Sequence, residues 1–148
     1  MKSVLLPIHI SFVGIWLGCV LTEALFERAL LGKGREQELT LVALHKRVDL
    51  VVEIPAFMVV LITGSMMYPF ASLSGLIHVK IALGLFAVAV NAYCVWLVFL
   101  RARAAQAGNR EEFVRLDHKQ HKYGALVLLS IVAALGFGVY VSGSTYNV

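Results

Sequence analysis

Polar sequence is what this chain has least of. No extended hydrophilic segment divides its 148 residues, so there is no room for a second domain and residues 1–148 read as one unit. Cysteine is also scarce. Cys19 and Cys94 both sit in apolar sequence, which excludes a disulfide framework and leaves two small buried hydrophobes. No internal repeat of useful strength is present. A cleaved signal peptide is not expected either. The first apolar stretch follows a single Lys2, outruns an ordinary signal h-region, and ends in Glu27-Arg28 rather than at a small-residue cleavage site. The second connection, Tyr68–Gly75, carries no charge at all.

What is present is apolar sequence in bulk: 59% hydrophobic residues and a mean hydropathy of +0.82, against roughly half apolar in a soluble domain. Four stretches, Val4–Leu31, Leu41–Phe70, Leu76–Leu100 and Tyr123–Val141, reach or approach the roughly 20 residues that a helix needs to cross a bilayer. In lipid every backbone polar group must be satisfied within the segment, so helices are expected throughout. The predicted fold is therefore all-α: an integral membrane four-helix bundle. Short connections favour antiparallel neighbours and up-down-up-down order. Gly32-Lys33-Gly34 stops the first helix, Pro69 and Ser72–Gly75 make a tight turn, and Ala104–Asn109 break the third helix before an amphipathic run, Glu111–Lys122.

Net charge is +4, and its distribution predicts orientation. Lys33, Arg35, Lys46 and Arg47 flank the first connection; Arg101, Arg103, Arg110, Arg115, Lys119 and Lys122 crowd the third. The positive-inside rule puts these connections in the cytoplasm and both termini outside. The expected setting is a bacterial-type inner membrane, crossed several times. Lipid headgroups account for the basic residues, and no nucleic-acid partner is expected.

Ionisable residues inside membrane spans mark functional sites by default. His9, Trp16, Glu23 and Glu27 fall on one stripe of the first helix, and His45, Asp49 and Glu53 follow at steps of four on the second. Lys80, Gly84, Ala87, Asn91 and Cys94 line one face of the third, with His78 on another side; His118 and His121 lie one turn apart at the start of the fourth. Depth sorts these into two layers. His9, His78 and Lys80 lie near the outer surface. Glu23, Glu27, His45, Asp49, Glu53, His118 and His121 lie toward the cytoplasmic surface, with Asn91 and Cys94 at similar depth. The second layer has the composition of a site for one or two metal ions. Its carboxylates and imidazoles suit iron, manganese or zinc better than copper(I), which prefers sulfur. Ion pairing with Arg28, Lys46, Arg47 and Lys119 is the plainer explanation of the same acids.

The spacing His9-x6-Trp16, the run Lys46-Arg47-x7-Pro55, the string His78-x-Lys80-x10-Asn91-x-Tyr93-Cys94 and the element Phe113-x2-Leu116-Asp117 together resemble the HemJ-type protoporphyrinogen oxidase family. The resemblance covers nearly the whole chain. It implies haem b, oxidation of a porphyrinogen-like or quinone-linked substrate, and electron transfer in the membrane. It marks His9 as haem ligand, Lys80 as second ligand or porphyrin partner, Arg47 as propionate partner, and His78 and Trp16 as supporting pocket residues. The chain departs from the family pattern at Asn91, where members often carry a second His, and in the His118-Lys-Gln-His121 run. Glu23, Glu27, Asp49 and Glu53 are further departures, which fits a rebuilt site on an inherited scaffold.

Three readings follow. One is a haem-b membrane oxidoreductase, with a porphyrin or quinone-like molecule as partner. The second is a non-haem metal protein, either oxidoreductase or metal handler, using the Glu/Asp/His layer. The third is a non-enzymatic membrane subunit or proton path. A bundle this small also invites a homodimer.

Overall fold

The computed structural model describes residues 2–68 and 75–145. The turn expected at Pro69 and Ser72–Gly75 lies, but for Gly75, outside the described residues. Those residues form four long helices and no strand: α1, Lys2–Leu30; α2, Arg35–Met67; α3, Gly75–Gln106; and α4, Arg110–Thr145. Each is long and apolar enough to cross a membrane, as a multi-pass membrane protein requires.

Packing confirms the reading inside out. Only 17–33% of each apolar window is buried within the protein. Val51, Leu25, Leu129 and Val139 are among the large aliphatic side chains that face outward. Such surfaces are untenable in water at this extent and are what hydrocarbon requires. Inside, Trp16 packs on Phe57 with ring centroids 5.9 Å apart, surrounded by Val13, Val60, Val95 and Ile131. A second small core, around Val42, Leu97, Phe113 and Leu116, closes the end that carries the first and third connections. α1 packs chiefly on α2, and α3 on α4.

Three features of the chain set where the polar residues fall. α2 is interrupted by a π-helical turn over Asp49–Glu53. Pro55 has no N–H to give the Val51 carbonyl, and its ring crowds that carbonyl, so the preceding turn widens. The Ile54 N–H bonds instead to the Asp49 carbonyl, five residues back. Steps of four in an α-helix drift by about 40°; a π turn under-winds the chain and takes up that drift. His45, Asp49 and Glu53 are consequently all buried on one side, none more than 3% exposed.

The second feature is a later end to α3. It runs to Gln106, past the break expected from Ala104, and stops at Ala107–Asn109. Gly108 is left-handed there (φ +71°), with its N–H on the Ala105 carbonyl, and Asn109 caps α4 by accepting the Glu112 N–H at 3.2 Å. Arg101, counted among the loop cations from sequence, is thus inside α3. It is completely buried. Third, the amphipathic run Glu111–Lys122 and the last apolar stretch are one continuous helix.

Candidate functional site

Arg101 organises the polar interior. Its Nη1 donates to Glu27 Oε1 of α1 at 2.5 Å and to Asp117 Oδ1 of α4 at 2.6 Å, while Nη2 donates to His45 Nδ1 of α2 at 2.5 Å. One guanidinium on α3 therefore ties all three other helices. The planar fork of arginine allows this; a lysine ammonium has no such geometry. His121 completes the group, with Nε2 2.9 Å from Glu27 Oε2 and Nδ1 donating to the Asp117 carbonyl at 3.0 Å. Two acids thus meet one guanidinium and two imidazoles. Glu27, Asp117 and His121 have the spacing of a metal-ligand set, but Arg101 Nη1 already pairs with both acids, so this cluster is an ion-pair network, with Arg101 Nε buried and without a hydrogen-bond partner.

Next to it lies a second group of a different kind. Glu23 of α1 and Asp49 and Glu53 of α2 each place a carboxylate oxygen within 4.8 Å of the others. They line a cavity of about 40 Å³ together with Asn91 and Cys94 of α3 and Gln120 of α4. That is space for a few waters or a single ion. None of the residues lining the cavity is basic. The nearest imidazole is His45, whose Nε2 is 4.0 Å from Glu23 Oε2. Several polar atoms here lack hydrogen-bond partners: Glu23 Oε1, Asp49 Oδ2, Asn91 Nδ2, Gln120 Oε1 and His45 Nε2. Three adjacent negative charges in an apolar interior are untenable. The group must hold protons, a cation, or both.

The single cytoplasmic-side layer read from sequence is thus resolved into two groups. Glu23, Asp49 and Glu53 come together around the cavity; Glu27, His45 and His121 join Arg101 and Asp117. His118 joins neither, and its side chain is exposed on α4. Of His118 and His121, left open from sequence, His121 is the one that contacts the buried acids, although its side chain is itself 51% exposed. Arg101 and Gln120 were missed as site residues, and Asp117 was noted but not counted among the ligands. A signal for Arg101 existed: it continues the stripe of Ala87, Asn91 and Cys94 at a heptad step, the face already marked as inward.

The residues of the haem reading are spread more widely. His9 is half-buried, with Nδ1 2.9 Å from Thr63 Oγ1 and its ring against Gly64, where an added Cβ would come within 3.3 Å of Cε1. Lys80 lays its side chain over Gly138 of α4, with Nζ 3.4 Å from the position of a Cβ there. Trp16 is a core residue, and His78 and Arg47 are exposed. Arg47 precedes Thr63 by sixteen residues on the same helix, roughly 24 Å of rise. Arg47 and His9 therefore do not share one porphyrin-sized space.

Family models, curated proteins and solved structures contain no match to this chain. The fold and site define a class, a helical membrane protein with a charged and acidic interior at one end, and chemistry must carry the rest.

Proposed function

We propose that this chain is an integral membrane protein that binds a divalent metal ion between its helices, with Glu23, Asp49 and Glu53 as ligands. One observation carries this reading. Two buried carboxylates, Asp49 and Glu53, and the partly buried Glu23 converge on a cavity with no basic residue in its lining, directly beside acids that do have an arginine. The lack of a counter-charge at one cluster and its presence at the other distinguish a cation site from an ordinary buried ion pair. The π turn that aligns Asp49 and Glu53 adds support, since such turns frequently mark functional sites.

Within this reading the bundle runs up-down-up-down, both termini lie outside a bacterial-type inner membrane, and the site lies toward the cytoplasmic end. The basic first and third connections and the uncharged second one support that orientation. Iron or manganese in the site would supply redox chemistry linked to a membrane quinone; zinc would serve binding or handling alone. Elemental analysis of haem-free protein tests the proposal. One ion per chain in the wild type, lost in Glu23→Gln and Glu53→Gln, is expected. Protein that takes up no metal from iron, manganese or zinc solutions would sink it and leave the proton path through the same acids.

A second reading, a haem-b oxidoreductase of HemJ type, is favoured by a different observation. The Thr63 hydroxyl donates to the Val59 carbonyl at 2.6 Å, so His9 donates Nδ1–H to Thr63 Oγ1, which leaves Nε2 as the coordinating nitrogen, the arrangement common among metal-bound histidines. His9 would hold the iron from one side and Lys80 would serve as second ligand or porphyrin partner; Arg47 is too distant to help, and the porphyrin must enter from between the helices. The visible spectrum of oxidised and dithionite-reduced protein decides it. A Soret band that vanishes in His9→Ala supports haem, whereas a featureless wild-type spectrum removes it.

A further inference from the structure

Which ion the triad takes depends on which atoms face it. Arg101 sets this at one remove. A guanidinium can only donate, and its Nη2 lies 2.5 Å from His45 Nδ1, so Nδ1 accepts and the ring hydrogen sits on Nε2. Glu27 Oε1 also approaches Nδ1, at 3.4 Å, which would favour the opposite polarity. The guanidinium contact prevails because it is far shorter and because Glu27 Oε1 already accepts from Arg101 at 2.5 Å. His45 Nε2 then carries the hydrogen, 4.0 Å from Glu23 Oε2 and without a hydrogen-bond partner. A ring nitrogen that carries hydrogen has no lone pair for a metal.

The same polarity orients Gln120. Its Nε2 lies 3.4 Å from His45 Nδ1, where only a donor is welcome. That leaves Oε1, buried and without a partner, on a residue that lines the cavity from α4. Gln120 is 8% exposed and Asn91 2%, so neither amide can satisfy itself from bulk water. The side chains close enough to share an ion are carboxylates; Cys94 lines the cavity but does not belong to that set.

We infer, on the reading that the triad binds a metal, that the ion is a hard divalent cation held in an all-oxygen shell by Glu23, Asp49, Glu53 and Gln120 Oε1, and that Arg101 keeps His45 out of that shell by holding the ring hydrogen on Nε2, the nitrogen that faces Glu23. Carboxylate and amide oxygens suit magnesium, manganese and calcium, whereas imidazole and thiolate are what draw zinc and copper. Sequence alone puts His45 among the ligands; the arginine moves it to a supporting place.

The test uses full-length protein in detergent, stripped with a chelator and titrated with Mn²⁺ and Zn²⁺ separately. Pulsed EPR of the Mn²⁺-loaded wild type should show no directly coordinated ¹⁴N. His45→Gln, which keeps a donor, should leave the ratio of Zn²⁺ to Mn²⁺ affinity unchanged, and Gln120→Leu should weaken Mn²⁺ binding about tenfold. A strongly coupled ¹⁴N, or a collapse of relative zinc affinity in His45→Gln, would overturn the all-oxygen shell while leaving the metal site standing. Wild-type protein that binds neither ion overturns the metal reading and this inference with it. The EPR result on wild type decides the matter even if a variant fails to fold.

Discussion

Arg101 and Glu27 are 74 residues apart in the chain and 2.5 Å apart in the fold. With Asp117 at 2.6 Å, the arginine pairs with two buried acids from two different helices. Removing one partner of a buried pair leaves an uncompensated charge, which typically costs about 3–5 kcal/mol. Arg101→Met should therefore lower the thermal midpoint in detergent sharply. Adding Glu27→Gln and Asp117→Asn to the same protein should recover much of the loss. If Arg101→Met melts like the wild type, the interior network is not what holds this end together.

Pro55 is the cause assigned to the π turn, and it is separable from the ligands themselves. Pro55→Ala returns an N–H that can bond the Val51 carbonyl, so α2 should relax toward regular α-helix and turn Glu53 away from Asp49. The expected outcome is a protein at least as stable thermally, with Mn²⁺ affinity reduced about tenfold or more, as supporting changes around metal sites commonly do. Unchanged affinity would show that the π turn does not set the ligand geometry.

His118 and His121 offer a contrast within one helix turn. His121 lies 2.9 Å from Glu27 Oε2, while the His118 side chain faces outward. His121→Ala should destabilise the protein measurably, and His118→Ala should stay within about 0.5 kcal/mol of wild type. Equal effects in a denaturation series would show that the His121–Glu27 contact adds nothing to stability.

Trp16 tests the apolar core independently of the charges. Its indole is 2% exposed and packs on Phe57, so Trp16→Ala should cost about 3–5 kcal/mol through lost contacts and the cavity left behind. Because it lies outside the acidic cavity lining, metal stoichiometry in the folded fraction should not change. Loss of metal at full stability would reverse that division.

Metal itself should act as a stabilising ligand. An ion bound only by the folded state at about a hundred times its dissociation constant adds roughly 2.7 kcal/mol. Mn²⁺ should raise the melting temperature of wild type but not of Glu53→Gln, and a chelator should reverse the shift. A rise of equal size in both proteins would place the ion elsewhere.

Much of this protein is legible from its sequence, and the reason is solvent. Hydrocarbon demands long apolar helices with satisfied backbones, so hydropathy alone marked four spans and the polar exceptions within them. Glu23, Asp49 and Glu53 stood out for the same reason, as acids within apolar sequence, although ion pairing with nearby cations was the plainer explanation of them. The helix ends were less legible. Arg101 sits only one residue beyond an apolar run, and whether it is a loop cation or an interior one depends on acids from α1 and α4 that come to meet it.

The sequence by itself therefore determined the class of fold, the number of helices among the described residues, and the acids that interrupt the apolar spans. Periodicity and transfer free energy act locally along the chain, and neither needs a partner. Only the tertiary structure decided how the polar layer divides: which acids received Arg101, which were left around the cavity, and that His121 rather than His118 reaches the buried acids from a half-exposed position. Charges act across space. Their pairing depends on distances between helices that no spacing along one helix contains.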